Sequence, residues 1–449
     1  MNRFAHLSGY FVLFIIGLGI RYLAFLIDMP WTGDVHILQS WATQLYTGGF
    51  SGFYHNASPF VDYTPVYLYV LWLAGAIQHA FGLEHLTFQF NLVTFAPAII
   101  ADLITGLLIY AMCIRVFVNK TISNKTINNK TTDNKTASNE ILVKSFLIAL
   151  AYLANPGIIL NSSVWGQMDA VHTLLLFLAL YAVSKKQTLP VYLLYGIAVL
   201  TKPQSLIAAP IFLYSAFHYY KESKYAPKAG FIMLLYALVT FLFMALLFLP
   251  FAQNFDLISL ISVFRQYAHI LGEHRFEVAT INAYNFYALT GGNWQEISSF
   301  YALVSMAAIA GVTCMAFWLL HRHWNGATIF FTAALLFTIT FVFSVRMHER
   351  FMFPTLLYLL TSAILMRNKS DYRLLVLYGT LSVTFFINCL DVLLRFHNIY
   401  VFADLFYNSA AFRAFRPIDE FIALVSFVNV VLAGCILKIG WDIRSWTDF

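Results

Sequence analysis

Long runs of apolar residues alternate with short polar segments from one end of the chain to the other. A run of about 20 apolar residues is long enough to cross the hydrocarbon core of a bilayer as a helix. Strands of a membrane barrel would instead alternate in polarity over about ten residues, and no other backbone structure satisfies its polar groups in lipid. The pattern therefore predicts an all-α, polytopic membrane protein with about 12 transmembrane helices. The predicted spans are residues 7–27, 90–116, 143–160, 169–184, 189–201, 204–220, 229–250, 297–320, 325–345, 351–366, 373–393 and 419–438.

One further apolar run, residues 67–81, decides the topology. If the N-terminus is cytoplasmic and this run crosses the membrane, the lysine-rich segment 119–144 lies outside the cell. If the run lies in the interface, every lysine except Lys202 is cytoplasmic, as the positive-inside rule prefers. Residues 67–81 are therefore predicted to form an interfacial helix. Residues 35–47 are predicted to form another, because their apolar side chains share one face at helical spacing: Val35, Leu38, Trp41, Ala42, Leu45 and Tyr46.

A low-complexity segment follows the second predicted span. Residues 119–138 repeat Asn-Lys-Thr four times, and the segment is polar and poor in apolar groups. Such a composition buries too little apolar surface to offset the entropy of ordering the chain. Residues 117–142 are therefore predicted to form a disordered cytoplasmic linker.

Composition narrows the class of protein further. The chain is 60% hydrophobic and 11% charged, with a mean hydropathy of +0.72, whereas a soluble globular chain carries about 25% charged residues. The net charge of +6 is attributed to basic residues on one side of the membrane, so no nucleic-acid partner is expected. The cysteines lie in apolar runs without paired spacing, which argues against a disulfide framework or a thiolate metal site. They are Cys113, Cys314, Cys389 and Cys435.

The first outer loop, residues 28–66, is the leading candidate for function. It contains no Lys or Arg, and it holds three carboxylates: Asp28, Asp34 and Asp62. Asp34 follows a glycine and is predicted to occupy the N-cap position of helix 35–47. A carboxylate can also accept a proton from an alcohol, which makes Asp34 the candidate general base. From local sequence alone, a role as a helix cap is equally open.

Four more polar clusters are predicted at the same outer face. They contain Asn155-Pro156 with Gln167, Asp169 and His172; Lys202 with Gln204; the loop 251–296 with Arg265, His269 and Glu273-His274-Arg275; and Arg346, His348, Glu349 and Arg350. An ammonium near hydrocarbon is unfavourable by several kcal/mol unless it is paired or hydrated, which favours a site role for Lys202. Asp169 can instead be a helix-start carboxylate, and the two arginines can be interfacial anchors. Asp102, inside a span, needs a partner and can be structural.

Acidic residues, amides and fixed cations that converge on one membrane face fit one chemistry in particular. A carboxylate can activate a hydroxyl, and Lys, Arg and His can hold a phosphate while negative charge builds on it. Amides and aromatic side chains suit a sugar, and interfacial helices suit a lipid tail. Together they predict transfer of a sugar from a lipid phosphate to an acceptor hydroxyl. A transporter or lipid flippase is the alternative, although the chain shows no matching halves of the kind that transporters are built from.

The same clusters carry a resemblance to a known family. Their order is Gly33-Asp34, Asp-Tyr-Thr-Pro from Asp62, Asn-Pro and then Trp-Gly-Gln-Met-Asp ending at Asp169, Lys-Pro-Gln from Lys202, and His-Glu-Arg-Phe-Met-Phe-Pro from His348. This order resembles the GT-C glycosyltransferases. It is most similar to the bacterial branch resembling GPI mannosyltransferase II, and more distantly to the dolichyl-phosphate-glucose glucosyltransferases. The resemblance covers roughly residues 7–366.

The resemblance implies an inverting, metal-independent hexosyltransferase of the cell membrane, with mannose as the favoured sugar and the active site on the extracytoplasmic side. It implies a polyprenyl-phosphate-linked sugar donor, an acceptor hydroxyl on a cell-envelope glycan, glycolipid or protein, and no cofactor. Residues 1–366 are expected to form the GT-C-like catalytic module, and residues 367–449 the C-terminal transmembrane helices.

The resemblance also assigns roles to residues of this chain. Asp34 is implied to be the general base, with its division of roles with Asp62 left open, because many relatives carry two adjacent acidic residues where this chain has Asp34-Val35-His36. The predicted donor site, which holds the phosphate and the sugar, consists of Gln167, Asp169, Lys202, Gln204, Arg346, His348, Glu349 and Arg350.

Overall fold

The computed structural model of the chain describes residues 3–27, 32–58, 61–128, 134–254, 256–272, 277–366, 372–406 and 420–442. These residues are almost entirely helical, which confirms the predicted helical class. The helices of the first half are α1 (Arg3–Phe25), α2 (Thr32–Gly48), α3 (Phe53–Asn56), α4 (Pro65–Phe81), α5 (Phe88–Asn128), α6 (Asn134–Leu153), α7 (Pro156–Ile159), α8 (Asp169–Ser184), α9 (Thr188–Thr201) and α10 (Ala209–Glu222). Those of the second half are α11 (Ala226–Phe248), α12 (Leu257–Gly272), α13 (Phe286–Leu289), α14 (Ser299–Arg322), α15 (Gly326–Phe343), α16 (Phe353–Leu365), α17 (Arg373–Phe406) and α18 (Glu420–Trp441).

The long apolar helices make the chain a multi-pass membrane protein. In the described residues, seven helices are long and apolar enough to cross a membrane, or eight if the bent pair 137–153 and 156–164 counts as one span. Four of the other predicted spans correspond to α8, α9, α10 and α16, which have 16, 14, 14 and 13 residues. Each is shorter than the roughly 20 residues that a hydrocarbon core of about 30 Å requires. A total of about 12 spans therefore stays a prediction.

The two helices predicted in the first outer loop are present and pack against each other as α2 and α4. The predicted apolar face of α2 is buried from Val35 to Leu45. At the crossing, a Cβ atom on Gly75 would lie 2.1 Å from the carbonyl oxygen of Ala42, so only glycine permits this approach. The position of α4 in the membrane interface stays a prediction.

Two local predictions differ from the structure. The linker 117–142, predicted to be disordered, is helical up to Asn128 in α5 and again from Asn134 in α6, and residues 129–133 lie outside the described residues. Adding residues to an existing helix needs no new nucleation, so the long apolar helix α5 extends into the polar repeat.

Asp34 is not the N-cap of α2, because this helix begins at Thr32 and contains Asp34 in its first turn.

A fully buried ion pair joins α1 to α5 in the membrane-spanning part of the chain. The Arg21 guanidinium lies 3.1 Å from the Asp102 carboxylate, and neither side chain is exposed. The hydroxyls of Tyr152 and Ser162 donate to the same carboxylate, over 3.2 and 2.6 Å. Asp102 therefore has the partner that its place in a span requires, and the pair is structural.

A two-stranded parallel sheet fixes the segment that contains His348. Strand β1 (Thr280–Ile281) pairs with β2 (Met347–His348), and Thr280 lies opposite Met347. Asn388 of α17 and Asn429 of α18 donate side-chain hydrogen bonds to carbonyls of the loop after β1, over 2.8 and 2.7 Å. The all-α prediction missed this sheet, because two residues a strand leave no periodicity to detect.

Candidate functional site

An irregular segment between α7 and α8 positions two of the predicted site residues. A single π-helical turn spans Leu160–Val164, a feature that is frequent at functional sites. Gly166 follows with a φ of +75°, and a Cβ atom there would lie 2.1 Å from the ring of Phe95. Both the backbone conformation and the close approach require glycine. The turn leads directly to Gln167 and to Asp169, the first residue of α8.

Asp34 lies at the meeting point of three distant segments of the chain. Nε2 of Gln167 donates a hydrogen bond to Oδ2 of Asp34 over 2.8 Å. The Arg350 guanidinium lies 3.8 Å from the same oxygen. Gln167 is buried, whereas the Asp34 side chain is 29% exposed. The carboxylate is thus oriented by protein groups on one side and open to solvent on the other.

Lys202, at the junction of α9 with the 3-10 helix Pro203–Ala208, pairs with Asp169. Its ammonium donates a short hydrogen bond to Oδ1 of Asp169, and Asn161 donates to Oδ2 over 3.3 Å. The ammonium also lies 5.1 Å from the centre of the Phe351 ring. Asp169 is fully buried and Lys202 is 13% exposed. Asp169 is therefore the partner of the lysine that was predicted to lie near hydrocarbon.

Strand β2 and the 3-10 helix that follows it supply a neutral histidine and a second ion pair. The guanidinium of Arg350 donates to Oε1 of Glu349 over 2.9 Å. Burial raises the pKa of the Glu349 carboxyl, and the Arg350 charge opposes that effect. Burial and the nearby cations Arg350 and Lys202 hold the pKa of His348 well below its ordinary value. His348 is therefore neutral at pH 7, and its ring can take part in a hydrogen bond but carries no charge.

Three other predicted site residues differ in their surroundings. Asp62 reaches solvent and interacts electrostatically with Arg350, Asp34 and Lys202. Gln204 lies two residues after Lys202, and both polar atoms of its amide are buried without a hydrogen-bond partner among the described residues. The backbone N–H of Arg346 donates to a loop carbonyl over 2.9 Å, and Nε of its side chain is buried without a partner in the same described part of the chain.

The rest of the predicted outer-face clusters are placed as follows. His172 is fully buried on α8, and within the described ranges neither ring nitrogen has a hydrogen-bond partner. Asp28 and Glu273-His274-Arg275 lie outside the described residues. The sequence analysis missed Asn161, which holds Asp169. A polar run, Asn161-Ser162-Ser163, next to an apolar span is the signal that points to it.

Carboxylates outnumber cations in the cluster that the structure assembles. Asp34, Asp169 and Glu349 supply three negative charges, and Lys202 and Arg350 supply two positive charges, so the net charge is –1. Each cation already has a carboxylate partner. Within the described ranges, no group of three His, Cys, Asp or Glu side chains is placed to hold a metal ion. The arrangement provides one accessible, oriented carboxylate and a set of polar atoms around it.

Comparison with protein families identifies a family to which the chain is similar. A family model described as "GPI transamidase subunit PIG-U" matches residues 42–271, which are 230 of the 449 residues of the chain. The matched part contains five of the predicted site residues: Asp62, Gln167, Asp169, Lys202 and Gln204. It does not contain Asp34 or the segment 346–350. Among curated proteins, none matches the chain.

Proposed function

The chain belongs to the PIG-U family, which is described as a GPI transamidase subunit, and we propose that this member is itself an enzyme, a membrane glycosyltransferase. It moves a hexose, with mannose favoured, from a polyprenyl-phosphate-sugar to an acceptor hydroxyl on the outer face of the membrane. The acceptor is a glycan, glycolipid or protein of the cell envelope. The anomeric carbon is inverted and no metal ion takes part.

The observation that carries the proposal is the environment of Asp34. A general base needs a fixed orientation and access to the proton that it takes. The 2.8 Å hydrogen bond from Gln167 supplies the orientation, and the 29% exposure of the carboxylate supplies the access. A carboxylate that only stabilised the start of α2 would need neither the buried amide nor the arginine.

The reaction proceeds in one displacement. The acceptor oxygen attacks the anomeric carbon while its proton passes to the Asp34 carboxylate. The bond from the anomeric carbon to the phosphate oxygen breaks, and its electron pair leaves with the polyprenyl phosphate. Attack from the face opposite the leaving group inverts the anomeric centre.

The donor phosphate is expected to bind beside Lys202 and Arg350. Both cations are shared with carboxylates, so the phosphate competes with Asp169 and Glu349 for them. The partnerless amide of Gln204 and Nε of Arg350 can complete its hydrogen bonds. Arg346 and the neutral ring of His348 complete the proposed donor site, with Arg346 as a further cation. These groups supply the electrostatic stabilisation that a metal ion provides in other transferases.

A second candidate is a non-catalytic subunit of a membrane assembly, as the family's description suggests. The pairing of both cations with carboxylates favours it, because such pairs can hold segments together without a substrate. In that case the cluster joins the first outer loop to α8 and to the segment after β2, and no chemistry takes place there.

Mass analysis of cell-envelope glycans from strains with and without the gene distinguishes the two candidates. The glycosyltransferase predicts that a defined glycan loses one hexose, and that the wild-type gene restores it. The Glu84→Gln gene is a matched control, because Glu84 is an exposed carboxylate in the turn between α4 and α5. Unchanged glycans, together with proteins that lose a lipid anchor, would favour the subunit.

A further inference from the structure

An apolar groove lies between α10 and the C-terminal part of α14. It is lined by Leu213, Tyr214, Phe217, Phe317, Trp318 and His321. Leu213 is 64% exposed and Phe217 is 55% exposed, so their side chains face the surroundings of the protein, not its core. At the edge of the groove, the hydroxyl of Tyr214 and Nδ1 of His321 lie 3.3 Å apart and join the two helices. The groove runs beside α14, which is long and apolar enough to cross a membrane, so side chains exposed along it contact lipid.

The groove ends at positively charged side chains on both helices. On α10, Leu213, Phe217 and Lys221 follow at four-residue intervals and share one face, so the ammonium lies one turn beyond the apolar wall. On α14, Arg322 follows Trp318 by four residues, and its guanidinium lies 5.5 Å from the centre of that ring. Lys221 and Arg322 belong to the last turns of their helices. The apolar groove therefore ends at two cations, Lys221 and Arg322.

The nearest carboxylate on α10 does not neutralise these cations. Glu222 is bound by Lys186 over 3.0 Å and by His218 over 3.1 Å. In the part of the chain that the structure describes, neither Lys221 nor Arg322 forms an ion pair, and both are exposed. Both cations are thus available to an anion that arrives from the bilayer.

We propose that this groove binds one anionic phospholipid from the leaflet on the lysine-rich side of the membrane. An acyl chain lies against Leu213, Phe217 and Phe317, and the phosphate contacts Lys221 and Arg322. Basic pockets between membrane helices select anionic headgroups in this way, and a guanidinium can bind two phosphate oxygens at once. A zwitterionic headgroup brings a cation of its own, which these side chains repel.

Native mass spectrometry of the full-length protein in a neutral detergent tests the proposal. Phosphatidylglycerol and phosphatidylcholine with identical acyl chains are titrated separately, and bound lipids are counted. We expect one phosphatidylglycerol to bind with an affinity several-fold above that of phosphatidylcholine. Lys221→Gln and Arg322→Gln should each weaken phosphatidylglycerol binding about five-fold, the effect of one basic residue at an anionic surface.

Lys185→Gln is the matched control for these variants. It removes one exposed charge from the turn that also holds Lys186, the partner of Glu222, but Lys185 itself lies against the Tyr181 ring, outside the groove. It should leave lipid binding unchanged. Equal binding of the two lipids, or an equal loss in Lys185→Gln, would overturn the proposal. Displacement of phosphatidylglycerol by glycerol 3-phosphate would also overturn it, because the site would then recognise a soluble phosphate without acyl chains.

Discussion

Nε2 of Gln167 donates a hydrogen bond of 2.8 Å to Oδ2 of Asp34, a residue 133 positions earlier in the chain. The Gln167 amide is buried and the Asp34 carboxylate is partly exposed. The hydrogen bond therefore fixes the orientation of a carboxylate that solvent can reach. The sequence analysis assigned Gln167 to the donor site. Its contact in the structure is with the proposed base, which gives Gln167 a positioning role in the account.

Replacing Gln167 separates these two roles. Gln167→Met keeps the length of the side chain and removes the hydrogen bond. If Gln167 positions Asp34, turnover should fall about ten-fold or more while the KM for the donor stays constant, since ground-state binding is untouched. Steady-state kinetics with a polyprenyl-phosphate-mannose donor measure both quantities. A rise in KM at constant kcat would return Gln167 to the donor site.

Substitutions can separate the contribution of the Lys202–Asp169 ion pair to stability from the contribution of Lys202 to donor binding. Lys202→Met leaves the fully buried Asp169 carboxylate without its cation, and removing one member of a buried pair typically costs about 3–5 kcal/mol of stability. The double variant Lys202→Met, Asp169→Asn removes both charges, so most of that stability should return.

Donor binding by the double variant then reports on function. If Lys202 contacts the donor phosphate, the double variant should be stable yet bind the donor weakly in an equilibrium assay, because the cation is absent from ground and transition state alike. Wild-type donor affinity in the stable double variant would leave the pair a structural role only.

His348 makes the stability of the protein depend on pH. Its pKa in the folded protein is well below the value of about 6.5 expected for the unfolded chain, so the unfolded state binds the extra proton. The stabilisation is complete above about pH 6.5 and is lost as the pH falls below it, by at most about 1.4 kcal/mol per pH unit. His348→Gln should have a smaller drop in Tm between pH 7 and pH 5 than the wild type. Parallel pH profiles for the two proteins would contradict the assignment.

The predicted topology is tested by labelling from outside the cell. Residue 131 belongs to the lysine-rich repeat and lies outside the described residues. In a variant without its four native cysteines, Thr131→Cys should resist a membrane-impermeant thiol reagent in intact cells and react after lysis. Ready labelling in intact cells would place the repeat outside and move the proposed site residues that follow residue 81 to the opposite side of the membrane from Asp34 and Asp62.

Periodicity in the sequence predicted the elements whose apolar positions repeat. The buried face of α2 was predicted correctly from Val35 to Leu45, whereas Tyr46 is half-buried, because a helix in contact with protein or lipid must carry an apolar stripe at helical spacing. The start of the same helix was predicted at residue 35, three residues after its actual start at Thr32, because a polar first turn carries no apolar stripe. The polar repeat, which begins in the last part of α5, was predicted to be disordered for a related reason. Its composition alone does not show that the preceding apolar helix continues into it.

Pairings between distant residues could be predicted only in part. The sequence indicated that Lys202 and Asp102 each needed a partner. The partner of Lys202 is Asp169, 33 positions away, and the partner of Asp102 is Arg21, 81 positions away. The separation of two residues along the sequence does not show how close they lie in the fold. Arg21 lies within an apolar run, and that position was the signal that it would be paired. Asn388 and Asn429 show the same signal in the last two spans, where they hold the loop after β1.

The most direct test of the central claim is the rate at which a folded Asp34→Asn protein releases polyprenyl phosphate from polyprenyl-phosphate-mannose in the presence of envelope acceptors. Asn keeps the size of Asp and an oxygen that can still accept from Gln167, so the fold and donor binding should persist. If Asp34 is the base, the rate should fall about a hundred-fold or more, while Glu84→Gln keeps the wild-type rate. If Asp34 only stabilises the first turn of α2, the variant should lose about 0.3–1 kcal/mol of stability and retain transfer. Wild-type transfer by folded Asp34→Asn protein would contradict the account and make Asp62 the next carboxylate to test.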